Sequence, residues 1–332
     1  MRQPNLATLP RPVEQPGTAR TRGRAARRLT VLTFSGTGDP AVFRAQVDRL
    51  VRTANPVSLA QVQKALLTGA PLPPHAVLVS FEHGYRSAAT TGLPVLAARG
   101  IPAVAFVVAG LVNTERPYWW QEAEFLVQQG GRARNLSVRD PEGVAAALAA
   151  LPDPDRRSCL EELRVTARRA APGRPQLTTE DLLALRDGGV EIGNHTYGDA
   201  RLTRCDDYVV REEVVGAHER LTRLTGAEPS AFAHPGGVAD VRAEALLRGL
   251  GYRSAFLSDG HLFDLRPTAV SRPNPLRISR LSVNGRTSRS LIDAVLAGLS
   301  WSPSVRLFRC SATRRAASRS DTGRAQPDPA GP

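Results

Sequence analysis

Lysine is almost missing from this chain of 332 residues: of 44 basic residues, Lys64 alone is not arginine. A basic composition written almost wholly in arginine points to a biased composition rather than to a selected patch for nucleic acid. Cysteine is scarce as well. Cys159, Cys205 and Cys310 are odd in number, far apart and without Cys-x-x-Cys spacing, which excludes a disulfide framework and a thiolate zinc knuckle. Apolar runs are short. None approaches the roughly 18 residues of a membrane-spanning helix, and the N-terminus lacks the apolar core of about 7–15 residues that marks a signal peptide. As written, the chain is expected to be cytoplasmic, with export left open.

What is present is globular, with 42% hydrophobic and 23% charged residues. The formal net charge of +13 lies mostly at the ends. Residues 1–28 hold seven arginines against Glu14, and residues 301–332 hold six against Asp321 and Asp328, so residues 29–300 carry only +3. Both tails are rich in Pro, Gly, Ala, Ser and Arg and poor in large apolar residues, and such segments cannot bury enough surface to offset their ordering entropy. They are expected to be disordered, with one folded region over 29–300. Nucleic acid is not expected as a partner, and the sequence carries no signal of oligomeric state.

Within 29–300, β-branched apolar runs alternate with helical periodicity. Strands are expected at 29–34, 76–80, 101–108, 190–193, 230–233, 253–257 and 277–283. Helices are expected at 41–53, 60–67, 88–99, 119–129, 158–170, 179–187, 206–224, 240–249 and 288–299. Thr178 or Thr179 caps the helix at 179–187, and Gly188-Gly189 stops it. Strands separated by helices imply parallel pairing, so the class is α/β, as an open sheet or a barrel. The stretch of about 114–174 is too long for a loop and reads as a helical insert. Its Tyr118-Trp119-Trp120 run has two readings, a platform for sugar rings or packing of the insert onto the rest.

Three strands end in polar clusters with glycine: Ser80-Phe81-Glu82-His83-Gly84, Gly193-Asn194-His195-Thr196-Tyr197-Gly198-Asp199 and Ala233-His234-Pro235-Gly236-Gly237. Parallel folds keep their sites at such carboxyl ends, and three endings suggest one site. In order and spacing the segments resemble the polysaccharide deacetylase family, carbohydrate esterases with a NodB-homology domain. That family reads Thr-Phe-Asp-Asp-Gly, His-Ser/Thr-x-x-His and Arg/Tyr-x-Pro-x-Gly at the three places. The resemblance runs from about Leu29 to about Leu299 and implies a distorted (β/α)7-type barrel of parallel strands.

The resemblance also implies chemistry: a metal-dependent hydrolase that removes N-acetyl groups from an amino-sugar polymer or glycoconjugate, thus acting on carbon–nitrogen bonds other than peptide bonds. Its partner is an acetylated carbohydrate. The cofactor is a divalent metal, zinc first, with Co, Mn or Ni as alternatives. The family's ligand positions are occupied here by His83, His195 and Asp199. Aspartate has become histidine at one corner and histidine aspartate at another, so two imidazoles and one carboxylate remain. The i,i+4 pair His195 and Asp199 is expected to meet through a helical turn. Glu82 stands at the position of the catalytic base, one methylene longer than the family's aspartate. Gly236 retains a backbone N–H for the oxyanion. His234 stands where the family has Arg or Tyr, and it or His261 is the candidate for the missing general acid. The alternative from another class is a catalytically impaired domain that binds carbohydrate or a protein partner.

Overall fold

The computed structural model describes residues 28–265, 273–285 and 287–296. The tails expected to be disordered lie outside these residues, apart from Arg28.

Among the described residues nine strands share one sheet: β1 (Arg28–Phe34), β2 (Asn55–Pro56), β3 (Ala76–Phe81), β4 (Ala103–Val107), β5 (Val190–Asn194), β6 (Ala231–Ala233), β7 (Ser254–Phe256), β8 (Phe263–Asp264) and β9 (Leu281–Val283). Their order is β7-β6-β5-β4-β3-β1-β8, with β2 on β3 and β9 on β1. Every pairing is parallel except β1 with β8. The sheet curls until its edges meet. Ile278 pairs with Phe256 of β7 while β9, three residues on, pairs with β1, so one segment spans the seam. Backbone bonds from Leu257 N to Ile278 O (2.8 Å), Ile278 N to Ala255 O (2.9 Å) and Gly260 N to Arg280 O (3.1 Å) close it. The expected strand 277–283 is therefore divided between two neighbours, and this produces the barrel-like fold.

The period of two sorts side chains. Leu29, Val31, Leu78, Val104, Phe106, Ala231, Ala233, Phe256 and Ile278 gather in one buried cluster, floored by Leu59, Val62 and Ala65 of α2 (Leu59–Thr68). Their alternates Leu32, Phe34, Val77, Val79, Phe81, Ala103, Ala105 and Val107 turn outward onto α1 (Pro40–Thr53), α3 (Leu93–Ala97), α7 (Thr179–Asp187) and α9 (Ala217–Thr225). Local chemistry sets the ends of these helices. Asp39 accepts from Ala41 N and Val42 N ahead of α1, Ser58 and Gln61 form a capping box on α2, and Thr178 and Asp181 form another on α7. Thr178 is the cap. Helix α8 (Asp207–Arg211) runs through a π-helical turn, Glu212–Gly216, into α9. Helix α10 (Val241–Gly249) covers β6 and β7 through Ala243 and Leu247, and α11 (Arg289–Leu296) packs on α1.

Between β4 and β5 the insert folds as α4 (Trp119–Gln128), α5 (Pro141–Ala150) and α6 (Asp153–Thr166), around its own core of Ala123, Leu126, Val144, Leu148, Leu160 and Leu163. Helix α5 is absent from the expected elements, because its Ala-rich run gives little contrast between faces. No helix among the described residues is long and apolar enough to cross a membrane.

Candidate active site

Glu82 and His83 follow directly on β3. Glu82 continues the inward series of Leu78 and Ser80, and its backbone N donates to Phe34 O (3.0 Å), one step beyond the strand. The residue is 8% exposed, and its carboxylate accepts from Arg280 Nη2 at 2.9 Å. Arg280 is fully buried in the seam. Its Nε donates to Leu257 O (2.7 Å), its guanidinium lies 5.2 Å from the centroid of Phe106, and its Nη1 has no protein partner. Burial acts to raise the Glu82 pKa, but Arg280 first, then His83 and His195, overcome it and hold the carboxyl down to about 2. Burial pulls the Arg280 pKa down against Glu82, yet an arginine starts so high that both partners stay charged.

His195 follows β5 and is wholly buried. Its Nδ1 lies 2.9 Å from Ala233 O. A carbonyl can only accept, so Nδ1 carries a proton, which leaves Nε2 as the ring atom that can offer a lone pair. That Nε2 is 3.2 Å from Asp199 Oδ1 but has no hydrogen-bond partner. The His83 ring lies 5.0 Å from that of His195, and burial lowers its pKa, favouring the neutral ring. Each of Glu82, His83 and His195 offers a ligand atom within 4.8 Å of the others. The structure thus groups Glu82, rather than the expected Asp199, with the two histidines, and Asp199 Oδ1 approaches this group at His195 Nε2.

Seven buried side-chain N or O atoms among the described residues lack a partner, and four belong here: His83 Nδ1, His195 Nε2, Asp199 Oδ1 and Arg280 Nη1. An unsatisfied buried polar atom costs about 1–3 kcal/mol. Three of the four, His83 Nδ1, His195 Nε2 and Asp199 Oδ1, can offer lone pairs to a Lewis-acidic cation, whereas Arg280 Nη1 can only donate.

The loop holding Asp199 is not the helical turn expected for 196–199. Thr196 (φ 62°) and Asp199 (φ 56°) are left-handed, as is His83 (φ 65°). Such backbone costs on the order of 1–3 kcal/mol per residue and is worst for a β-branched threonine. Side chains hold it in place. Asn194 Oδ1 accepts from Thr196 N (2.7 Å), Thr196 Oγ1 from Asp199 N (3.1 Å) and Glu213 Oε2 from Gly198 N (2.7 Å). Asn194 is itself gripped by Tyr252 Oη (2.8 Å), which also meets His218 Nδ1 (3.1 Å).

The Tyr118-Trp119-Trp120 run packs the insert onto this site. Tyr118 Oη donates to His83 O (3.2 Å), Trp119 Nε1 to Asp199 Oδ2 (3.3 Å), and the Trp120 ring lies 4.7 Å from that of His83. The packing reading of these aromatics therefore holds, and what they pack against is the candidate ligands.

The third motif is placed differently. His234 is buried with its ring edge-on to Phe232 and its Nε2 3.3 Å from Leu276 O, and burial pushes its pKa down to about 4. Its recorded contacts lie toward β6 and the seam rather than with the Glu82, His83 and His195 trio. His261 is exposed. Gly236 (φ 66°) turns beside Arg201, and Gly237 (φ 72°) sits against Ser258. Arg280, Asn194, Glu213 and Tyr252 are the residues that sequence reasoning passed over.

Comparison with known proteins gives the family and the fold. The family model described as polysaccharide deacetylase matches residues 69–255, more than half of the chain. A poly-beta-1,6-N-acetyl-D-glucosamine N-deacetylase of Escherichia coli (strain K12) is 29% identical over 227 residues, covering 66% of this chain. The chain spans only 31% of that relative's length. IcaB from Ammonifex degensii superposes with a TM-score of 0.54 at 18% identity, covering 82% of this chain and 96% of that one. A Streptococcus pyogenes deacetylase, PplD, in complex with acetate, gives 0.53 at 14% identity, with 80% and 96% covered. The fold, the three strand-end motifs and the match across more than half its length make this chain a member of the polysaccharide deacetylase family.

Proposed function

We propose that the chain is a metal-dependent hydrolase that removes N-acetyl groups from an amino-sugar polymer. The observation that carries this reading is the set of three buried, unpartnered donor atoms, His83 Nδ1, His195 Nε2 and Asp199 Oδ1, two of them on left-handed residues. Two imidazoles and a carboxylate suit zinc, and these residues would hold it. The ion would supply Lewis-acid polarisation of the acyl oxygen and acidify a water. Glu82, ionised and oriented by Arg280, accepts the proton of the attacking water, and its Oε1 is fixed by the Arg280 bond. Gly236 N–H is the proposed donor to the oxyanion. Poly-N-acetylglucosamine is the substrate class supported by the names of relatives, β-1,6-linked in the Escherichia coli protein, and acetate, the product of this reaction, is named in the PplD structure.

The test starts with metal. Purified protein is expected to bind Zn²⁺ or Co²⁺ near one per chain, His195→Ala to abolish binding, and Glu82→Gln to retain the metal while single-turnover acetate release falls by at least about 100-fold. Acetylated β-1,6-glucosamine and chitin oligomers, compared side by side, define the linkage. A folded protein that binds neither ion and releases no acetate would overturn the proposal.

A further inference from the structure

Resting on that reading of the site, we infer that Trp119 is a positioning residue for Asp199, and that the insert thereby supplies the outer shell of the metal site. Its indole N–H donates to Asp199 Oδ2 (3.3 Å), while Oδ1 is left unpartnered 3.2 Å from His195 Nε2. A carboxylate swings freely about its last torsion, so a donor on one oxygen decides where the other points. Asp199 has particular need of this, because its side chain is short and sits on a left-handed residue.

The indole is itself held. The Arg156 guanidinium lies 4.9 Å from the Trp119 ring centroid, and Arg156 donates to Asp153 from Nε at 3.1 Å. Arg156 is 7% and Asp153 2% exposed. A buried cation over an indole face fixes the ring plane. The series Asp153, Arg156, Trp119, Asp199 thus runs from the start of α6, across the start of α4, to the candidate ligand. A second link runs in parallel, since Arg157 bonds Asp153 and approaches Glu213 (3.5 Å), which accepts from Gly198 N in the Asp199 loop. With Tyr118 on the His83 carbonyl and Trp120 against the His83 ring, three consecutive residues of the insert each engage a candidate ligand residue.

The experiment is Co²⁺ titration of metal-free protein, followed by visible absorption and by isothermal calorimetry, on four proteins: wild type, Trp119→Phe, Asp199→Ala and the double variant. Phenylalanine keeps a ring under Arg156 but removes the N–H. Trp119→Phe is expected to weaken Co²⁺ binding roughly 10- to 100-fold and to shift the Co²⁺ spectrum. In the Asp199→Ala background the same change is expected to alter affinity less than about threefold, because the group that it positions has gone. Equal losses in both backgrounds would show a merely structural indole, and unchanged affinity in Trp119→Phe would remove the role altogether; either overturns the inference while leaving the metal site intact. Wild type that binds no Co²⁺ overturns the reading of the site and the inference with it. Should Trp119→Phe fold poorly, Arg156→Met, with Trp119 retained, is read in its place and is expected to weaken binding in the same Asp199-dependent way.

Discussion

The buried pair of Glu82 and Arg280 fixes the charge state of the site. Removing one member strands the other, which typically costs about 3–5 kcal/mol. Arg280→Met is therefore expected to lose that much stability at pH 7 in urea denaturation, and less near pH 5, where the stranded carboxyl takes up a proton. His234 gives a second signature. Its folded pKa of about 4 lies below its ordinary 6.5, so the unfolded chain binds the proton first as pH falls. Stability is full above about 6.5 and declines toward 4, by about 3 kcal/mol from this residue. His234→Gln, compared with wild type across that window by denaturant midpoint, is expected to flatten the decline by that amount.

At this scale the sequence pointed to candidate ligands and concealed their supports. His83, His195 and Asp199 sit in motifs that can be aligned residue by residue. Arg280 has no local mark in a chain with 43 other basic residues and is recognisable only through its contact with Glu82, 198 residues away. The left-handed backbone at 83 and 199 was also hidden; histidine and aspartate both tolerate this conformation, so it allows either residue at either place.

Elements were more legible than residues. Alternation and helical period depend on neighbours in sequence, so β1, β3, α1, α2 and α7 fall within a residue or two of expectation. The failures come where tertiary structure decides: β8 has two residues, the seam strand divides, and the second motif turns through positive φ because Asn194, Thr196 and Glu213 compel it. The third motif allows a test of its turn. A Cβ on Gly237 would fall 2.7 Å from the Ser258 backbone N, whereas one on Gly236 would meet the Arg201 side chain at 2.8 Å. Backbone cannot yield as a long side chain can. Gly237→Ala is therefore expected to cost roughly 1–3 kcal/mol more than Gly236→Ala in paired thermal or urea melts, although both residues share positive φ.

Across the whole molecule, the candidate ligands sit at the ends of β3 and β5 with β4 between them, so an ion would tie together strands contributed by distant parts of the chain. Binding to the folded state alone stabilises by mass action, about 2.7 kcal/mol at a hundredfold excess over Kd. Thermal melts with Zn²⁺ and with a chelator are expected to differ accordingly, and His195→Ala to erase the difference.

The seam has a practical consequence for anyone trimming the chain. The family match begins at residue 69 and stops at 255, ahead of Ile278, Arg280 and β9 and after β1 has already passed. A fragment cut to those limits would keep every candidate ligand and Glu82, yet open the cylinder along its length and leave that glutamate alone in the dark without its counter-ion. The minimal working unit is set by where the ring shuts, not by where the motifs lie.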